Sequence, residues 1–294
     1  MKNKLFTGAA TALVTPFKDG RVDYDAFEKI VEYQVSAGVE TLVFCGTTGE
    51  ASTLSEDEWK ETASFGVNTA GGRAKVLIGC GSNNTANAEN KSAFAEKCGA
   101  DGILSVTPYY NKASIRGLVT HYKKIASRVS IPVMLYNVPS RTGVDIPLEA
   151  YEELAKIDNI CGVKEASGSV SKAALIISNF GDDMPVYSGS DEINLPILSI
   201  GGAGVISVLS NILPREVITM CRLAAEQNYK KAAELSAALH PLVSVLFCEV
   251  NPIPVKTALA EMGFCREEFR LPLCRISHEK RERVLTELEK RLKL

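Results

Sequence analysis

Histidine is scarce in this sequence, with three residues among 294: His121, His240 and His278. They are scattered over predicted helices and the C-terminal region, and none of them follows a predicted strand. A metal-dependent aldolase normally gathers several histidine ligands, and a Ser-His-Asp hydrolase needs one histidine beside its serine. The sequence therefore disfavours both classes. We expect no metal site, and acid–base chemistry carried by tyrosine, lysine, carboxylate or the substrate itself.

Several other motifs are also absent. Neither GxGxxG nor GxxxxGK[ST] occurs, and the eight cysteines contain no CxxC pair, so the cysteines are expected to be free packing residues. No apolar stretch approaches the roughly 18 residues that span a bilayer. The formal net charge is −2 without a basic tract, which argues against nucleic acid and anionic membranes as partners. With no signal-peptide pattern, we expect a cytoplasmic protein that needs no cofactor.

Short apolar runs alternate with longer helix-like segments up to about residue 225. The runs are rich in Val, Ile and Leu without polar alternation, which is typical of strands buried on both faces. Eight such units favour a closed (β/α)8 TIM barrel over an open doubly wound sheet, which usually carries a glycine-rich phosphate fingerprint. The predicted strands are Ala10–Val14, Thr41–Cys45, Lys75–Cys80, Gly102–Val106, Pro132–Tyr136, Ile160–Lys164, Pro185–Ser188 and Gly204–Val208.

The remaining C-terminal region contains helical patterns only. Three helices are predicted, at Ala232–Leu246, Pro254–Met262 and Ser277–Leu292. This region has too few strongly apolar positions to fold independently. We predict a barrel over residues 1–225 and a three-helix extension over residues 226–294, which packs on the barrel or at a subunit contact.

The sixth predicted strand ends in a lysine, Lys164, after an otherwise apolar run. Functional side chains of such barrels gather at the C-terminal ends of the strands, and a buried lysine rarely lacks a partner or a task. Desolvation disfavours the ammonium form, and a neutral amine is what a carbonyl substrate needs to form an imine. Two other interpretations stay open: the side chain reaches solvent, or it pairs with a carboxylate such as Glu165.

Hydroxyl groups follow other predicted strands. Tyr136 ends the fifth, Tyr109 and Tyr110 follow the fourth, and Thr47 follows the second. A hydrogen-bonded Thr–Tyr pair can move protons, although tyrosines at such positions also serve as half-buried packing residues. Arg141, just beyond Tyr136, can clamp a carboxylate through two parallel hydrogen bonds or simply lie on the surface.

The loop Gly46–Glu50 brings backbone N–H groups and hydroxyls together. Such a turn can hold a small carboxylate, although a turn that leads into a helix has a similar composition.

Six ordered motifs span essentially the whole chain: Gly46–Glu50, Val106–Asn111, Tyr136–Gly143, Gly162–Ala166, Gly204–Ser207 and Asn251–Lys256. In residue types and order they resemble the dihydrodipicolinate synthase / N-acetylneuraminate lyase family, the pyruvate-dependent class I aldolases. The resemblance implies that Lys164 forms an imine with pyruvate and that Tyr136 shuttles protons. Thr47 and Tyr110 would complete a proton relay, with Tyr110 reaching into the site of a neighbouring subunit.

The resemblance also implies substrate contacts. Thr48 would hold the pyruvate carboxylate, Ile206 and Gly189 would contact bound pyruvate, and Arg141 would bind the carboxylate of the second substrate. The arginine after Pro-Ser is typical of the synthase branch. The implied reaction joins pyruvate and L-aspartate 4-semialdehyde into 4-hydroxy-tetrahydrodipicolinate, by carbon–carbon bond formation followed by cyclisation and dehydration. The family is usually a homotetramer, a dimer of dimers.

Two other functions remain open at this point. One is a different pyruvate aldolase of the same barrel type, which cleaves a sugar acid or a hydroxy-oxo acid. The other is a non-catalytic barrel that binds a small acid.

Some members of this family are inhibited by lysine, and the resemblance implies a degenerate inhibitor site here. Inhibited members tend to have an acidic residue where this sequence has Asn87, so the inhibitor's ammonium loses its partner. Glu56 also stands where some inhibited members have histidine. We therefore predict weak or absent inhibition by lysine. The corresponding positions are Ser52, Glu56, Asn83, Asn87 and Tyr109.

Overall fold

Eight parallel strands close into a barrel in a computed structural model that describes residues 4–292. Each strand pairs with the next along the chain, and the last returns to the first, with Gly204 opposite Gly8. This confirms the predicted (β/α)8 barrel. The strands are β1 Gly8–Ala12, β2 Thr41–Phe44, β3 Lys75–Gly79, β4 Gly102–Val106, β5 Val133–Asn137, β6 Ile160–Glu165, β7 Val186–Ser188 and β8 Gly204–Ser207.

Helices surround the barrel and continue beyond it. They are α1 Tyr24–Ala37, α2 Glu56–Ala70, α3 Thr85–Lys97, α4 Ile115–Arg128, α5 Pro139–Thr142, α6 Leu148–Leu154, α7 Val170–Phe180, α8 Asn194–Ser199, α9 Pro214–Ala225, α10 Tyr229–Leu246, α11 Ile253–Glu261 and α12 His278–Leu292. Three single 3-10 turns lie at Ala51–Thr53, Asp191–Ile193 and Leu209–Asn211.

Most predicted strands lie within one residue of their observed positions, but the first is displaced by two. The apolar run continues past Ala12, yet the N–H of Val14 bonds to the side chain of Asn211 (N···Oδ1 3.3 Å) rather than to a strand. A short antiparallel hairpin, Phe17–Lys18 with Arg21–Val22, was not predicted because each of its strands has only two residues.

The barrel strands are buried on both faces, which explains their lack of polar alternation. Along β5, Val133 and Leu135 belong to the core between strands and helices, whereas Met134 and Tyr136 belong to a second buried cluster. That second cluster contains alternate residues of neighbouring strands and fills the barrel interior. The pleat of β5 therefore directs Tyr136 into the barrel, in register with Lys164 on β6.

The C-terminal helices share the core of the barrel. Leu242, Leu259, Val284 and Leu288, from α10, α11 and α12, are buried in the same cluster as the residues beneath the barrel helices. The extension thus packs on the barrel, one of the two expected arrangements. The domain boundary at residue 225 stays a prediction, although α9 ends at that residue.

All eight cysteines are free thiols, as expected from their spacing. Across residues 4–292, no helix combines the length and the apolar character needed to cross a membrane.

Candidate active site

The loop after β2 holds its two threonines in a tight turn. Cys45 and Glu50 bracket the loop with left-handed backbone angles, φ 53° and φ 51°. The N–H of Gly49 donates to the carbonyl of Gly46 (3.1 Å), and that of Glu50 donates to the carbonyl of Thr47 (3.1 Å). Inside this turn Thr48 is buried and Thr47 is half-buried.

A fully buried ion pair fixes the end of this loop. Lys256 Nζ lies 2.7 Å from Glu50 Oε1, and neither side chain is exposed to solvent. The ammonium also lies 4.1 Å from the ring centroid of Phe17 and 5.1 Å from that of Phe269. Burial lowers the pKa of Lys256, whereas the adjacent carboxylate acts in the opposite direction. Helix α11 is thereby attached directly beneath the threonine loop.

Asn251, just before α11, connects two predicted substrate-binding residues. Its side-chain Nδ2 donates to Thr48 Oγ1 (3.0 Å), and its backbone carbonyl accepts from Arg141 Nη2 (3.1 Å). The three residues come from three distant parts of the chain. The C-terminal extension therefore positions both groups that are predicted to hold carboxylates.

Lys164 is buried near the end of β6, 6% exposed. Its Nζ lies 4.4 Å from the ring centroid of Tyr136, and within residues 4–292 no carboxylate lies within ion-pair distance of it. A side chain on Gly189 would place its Cβ 2.8 Å from Cε of this lysine, so the glycine makes room for the aliphatic stem. Gly189 and the ring of Tyr136 thus border the aliphatic stem and the amine of Lys164.

Glu165 is not the partner of that lysine. Its Oε2 accepts from Asn137 Nδ2 (2.9 Å), and its Oε1 accepts from the N–H of Ser167 (2.7 Å). The alternative in which Lys164 pairs with Glu165 is therefore wrong, because adjacent residues of a strand point to opposite faces. The interpretation that the lysine reaches solvent is also wrong, since its side chain is buried.

A cavity of about 330 Å³ opens beside these residues. It brings together three of the predicted catalytic and substrate-binding residues, Thr47, Tyr136 and Arg141. Lys164 does not line the cavity itself, and its amine lies against the ring of Tyr136. Thr48, Gly189 and Ile206 also lie outside the lining. The other lining residues are Cys45, Gly46, Ala51, Ser52, Gly79, Gly81, Lys91, Leu104, Val106, Tyr109, Val138 and Thr142.

Tyr110 is separated from the other predicted catalytic groups in the single chain. It is 89% exposed and adopts a left-handed backbone angle, φ 72°. Its predicted role in the site of a neighbouring subunit stays a prediction. Ile206, by contrast, is buried among the residues of the barrel interior.

The residues of the predicted inhibitor site are not gathered together. Ser52 and Tyr109 line the cavity, but Glu56 is exposed and binds Lys60 (Oε1···Nζ 2.6 Å). Asn87 is exposed at the start of α3. The backbone carbonyl of Asn83 accepts from Asn111 Nδ2 (3.0 Å).

Histidine takes no part in this site. His121 hydrogen-bonds Thr85 (Nδ1···Oγ1 2.9 Å), and burial lowers its pKa to about 4. In the part of the chain that the structure describes, no group of three or more His, Cys, Asp or Glu side chains could hold a metal ion.

Sequence reasoning missed the positioning roles of Asn251 and Lys256. Both belong to the motif Asn251–Lys256, which signalled their importance but not their contacts. Those contacts join residues more than 200 positions apart, and no local pattern indicates them.

Comparisons with known proteins agree over nearly the whole chain. Residues 5–291 match the family described as the Dihydrodipicolinate synthetase family. A 4-hydroxy-tetrahydrodipicolinate synthase of Nitratidesulfovibrio vulgaris is 48% identical over 280 residues, covering 95% of this chain and 96% of that protein.

Solved structures give the same result. The dihydrodipicolinate synthase of Aquifex aeolicus superposes with a TM-score of 0.96 at 42% identity, covering 98% of each chain. A chloride-inhibited dihydrodipicolinate synthase of Acinetobacter baumannii, complexed with pyruvate, gives a TM-score of 0.95 at 41% identity, covering 97% of this chain and 98% of that one.

Proposed function

The chain belongs to the dihydrodipicolinate synthetase family, and on this premise we propose that it condenses pyruvate with L-aspartate 4-semialdehyde. The product is 4-hydroxy-tetrahydrodipicolinate, on the route to diaminopimelate and lysine. The enzyme is a lyase of the class I aldolase type, which works through a Schiff base and needs no cofactor.

The observation that carries this proposal is the environment of Lys164. Its amine is buried, lies 4.4 Å from the ring centroid of Tyr136, and has no carboxylate at ion-pair distance within residues 4–292. An amine that no carboxylate holds is available to attack a carbonyl carbon, which is the first step of imine formation.

The chemistry follows from that amine. Lys164 Nζ attacks the keto carbon of pyruvate, and water leaves to give the imine. Loss of a methyl proton gives an enamine, whose carbon adds to the aldehyde of the second substrate. The second substrate's own amine then attacks the imine carbon, closes the ring and releases the lysine. Tyr136 and Thr47, which line one cavity, carry the protons, with Tyr110 of a neighbouring subunit completing the relay.

Two carboxylates need partners in this reaction. Thr48, in the tight turn after β2, holds the carboxylate of pyruvate, while Ile206 and Gly189 contact the bound substrate. Arg141 binds the carboxylate of L-aspartate 4-semialdehyde, since a guanidinium offers two parallel donors. Asn251 supports both, because it contacts Thr48 and Arg141.

The working assembly is a homotetramer built from tight dimers, in the cytoplasm. This arrangement is supported by Tyr110, which is almost fully exposed and does not line the cavity of its own chain. Sedimentation should give the tetramer mass, and Tyr110→Phe should lower turnover without changing that mass.

Lysine inhibits this enzyme weakly or not at all. Asn87 offers no carboxylate to the ammonium of the inhibitor. Loss of this charge-assisted contact weakens the binding of lysine by about ten- to a hundredfold. An inhibition constant in the sub-millimolar range would contradict this.

Two measurements test the proposed reaction. The first is a coupled assay with pyruvate and L-aspartate 4-semialdehyde, run beside N-acetylneuraminate cleavage. The second is borohydride reduction in the presence of pyruvate, followed by peptide mapping. We expect synthase activity and a single adduct on Lys164, with the buried Lys256 as an internal control that stays unmodified.

The outcomes separate the competing functions. Cleavage of N-acetylneuraminate without synthase activity would assign a different pyruvate aldolase. Absence of any pyruvate-dependent adduct would leave a barrel that binds a small acid without catalysis. An adduct on another lysine would overturn the mechanism.

A further inference from the structure

Strand β6 contains an extra residue shortly before the proposed catalytic lysine. Ile160 and Gly162 pair with consecutive residues of β5, so Cys161 between them is the extra residue of a β-bulge. A bulge re-aims the side chains that follow it, and bulges are frequent beside active sites. This one lies three residues before Lys164.

The bulge decides which way that lysine points. Ile160 and Val163 both belong to the core between strands and helices, although they are three positions apart. In a regular strand, only residues an even number of positions apart share a face. Without the bulge, Lys164 would therefore share the helix-facing side of β6 with Ile160. With the bulge, its amine faces the barrel interior and the ring of Tyr136.

A glycine makes the bulge possible but does not fix it. Gly162 has φ 151°, and a Cβ at this position would lie 2.6 Å from the carbonyl oxygen of Pro185. Glycine tolerates this conformation, yet it also tolerates many others, so it does not by itself select one register. Contacts farther along β6 must hold the strand in place.

A buried hydrogen-bonded pair ends the ladder directly after the reacting groups. Tyr136 is opposite Lys164, and Asn137 is opposite Glu165. The side chains of this second pair meet on the helix-facing side, where Asn137 Nδ2 donates to Glu165 Oε2 (2.9 Å). Both side chains are buried, at 0% and 1% exposure.

Each member of the pair is itself held by a backbone group. Asn137 Oδ1 accepts from the N–H of Ile146 (3.0 Å), and its Nδ2 also donates to Asp145 Oδ1 (2.8 Å). Glu165 Oε1 accepts from the N–H of Ser167 (2.7 Å). Neither side chain can turn without leaving a buried polar group unpaired, which is costly. The pair therefore has one arrangement.

We propose that Asn137 and Glu165 are positioning residues for the imine at Lys164. The pair fastens β6 to β5 one residue beyond the reacting groups, in the register that the bulge creates. Both side chains lie outside the cavity lining, so they act through the strand and not on the substrate. A displacement of about 1 Å at a reacting group costs about a hundredfold in rate. The inference rests on the proposed function, because it concerns the same lysine.

The pair can be tested by exchanging its members. Glu165→Gln sets two amides against each other, and Asn137→Asp sets two carboxylates against each other. In the double variant, Asn137→Asp with Glu165→Gln, the amide and the carboxylate trade places. The N–H groups of Ile146 and Ser167 then still find acceptors, so every hydrogen bond of the pair itself is restored.

The measurement is the rate of imine formation on Lys164, from borohydride quenching at timed intervals after mixing with pyruvate. In both single variants the rate at saturating pyruvate should fall by about ten- to a hundredfold. The pyruvate concentration that gives half of that rate should change little, because the loop that holds Thr48 is untouched. The double variant should recover most of the rate.

Asn159→Ala is the matched control, at the opposite end of the same strand. Asn159 Nδ2 donates to the carbonyls of Ala126 (2.8 Å) and Val129 (2.9 Å). Loss of these bonds should lower the melting temperature without slowing imine formation. This variant separates loss of positioning from loss of stability.

The outcomes also separate this inference from the proposed function. Slow single variants and a recovered double variant support the positioning role. An unchanged rate in Glu165→Gln would overturn it, as would a double variant as slow as the single ones or an equally slow Asn159→Ala. In each of these cases the adduct on Lys164 of the unaltered protein keeps the proposed function intact. Absence of that adduct would refute both.

Discussion

Lys164 and Lys256 are both buried, and their surroundings are opposite. Lys256 has a carboxylate partner at 2.7 Å and two aromatic rings around its ammonium. Lys164 is 6% exposed, faces one aromatic ring, and has no carboxylate within ion-pair distance in residues 4–292. A compensated charge is inert and structural, whereas an uncompensated amine is available for chemistry.

The comparison explains why burial alone does not identify a catalytic lysine. Removing either partner of a buried pair leaves an isolated charge, which destabilises the fold. An amine that needs no partner can be removed at little cost to stability. We therefore expect substitution of Lys164 to lower activity with little loss of stability. Loss of the carboxylate partner of Lys256 should instead lower the stability of the fold.

The largest effect is expected from Lys164→Ala. Turnover should fall by at least about a thousandfold, because the covalent path is lost. Borohydride with pyruvate should leave this variant unmodified, while its denaturation midpoint stays near that of the unaltered protein. If Lys164→Ala kept the turnover of the unaltered protein, Lys164 would not be catalytic, and the two lysines would no longer differ in function.

Glu50→Gln should act on stability first. It leaves the ammonium of Lys256 buried without an anion, which costs about 3–5 kcal/mol of unfolding free energy. Guanidinium denaturation measures this, and borohydride should still trap pyruvate on Lys164 in the folded protein.

The double variant Glu50→Leu with Lys256→Met is the control for that prediction. It removes both charges together, so it should recover most of the lost stability. If the single and double variants were equally destabilised, packing rather than charge would explain the effect.

A smaller effect is expected from Asn251→Ala. Loss of the hydrogen bond to Thr48 should raise KM for pyruvate by roughly two- to tenfold, with a smaller change in kcat. Thr48→Val and the double variant complete the cycle, and additive effects would show that Asn251 does not act through Thr48.

A further prediction concerns the stability contributed by Glu58 and Arg270, a partly exposed counterpart of the buried pair. Hydrogen bonds from Arg270 lower the pKa of Glu58 to about 2. A lowered folded-state pKa means that the pair stabilises the protein fully above the ordinary pKa of glutamate, near 4.3. This stabilisation is lost as the pH falls towards 2.

Glu58→Gln should therefore cost about 1–2 kcal/mol at pH 6, since the pair is partly screened by solvent. The free energy of unfolding of the Glu58→Gln variant, measured by denaturation at a series of pH values, should fall less steeply between about pH 4.5 and pH 2 than that of the unaltered protein. Parallel curves for the two proteins would show that this carboxylate contributes nothing to acid sensitivity.

The barrel and Lys164 could be predicted because both have local signatures. Strands buried on both faces produce continuous apolar runs, and a lysine at the end of such a run is conspicuous. The surroundings of that lysine could not be predicted from its neighbours in the sequence. Glu165 is next to it in sequence but binds Asn137 and Ser167 on the other face of the strand.

The contacts of the C-terminal extension were beyond sequence reasoning for a different reason. Asn251 and Lys256 meet Thr48 and Glu50 across 203 and 206 positions of the chain. Hydrophobic patterns fix which face of a helix is buried, but they do not specify which polar groups meet across such a distance.

The pair of Glu50 and Lys256 has a consequence for biosynthesis. A ribosome delivers residue 50 long before residue 256, and domains fold as they emerge. Until α11 arrives, the carboxylate has no ammonium to meet and must remain hydrated. The threonine loop therefore acquires its final contacts late in synthesis, because a chain that ends before residue 256 lacks the ion pair that fixes Glu50.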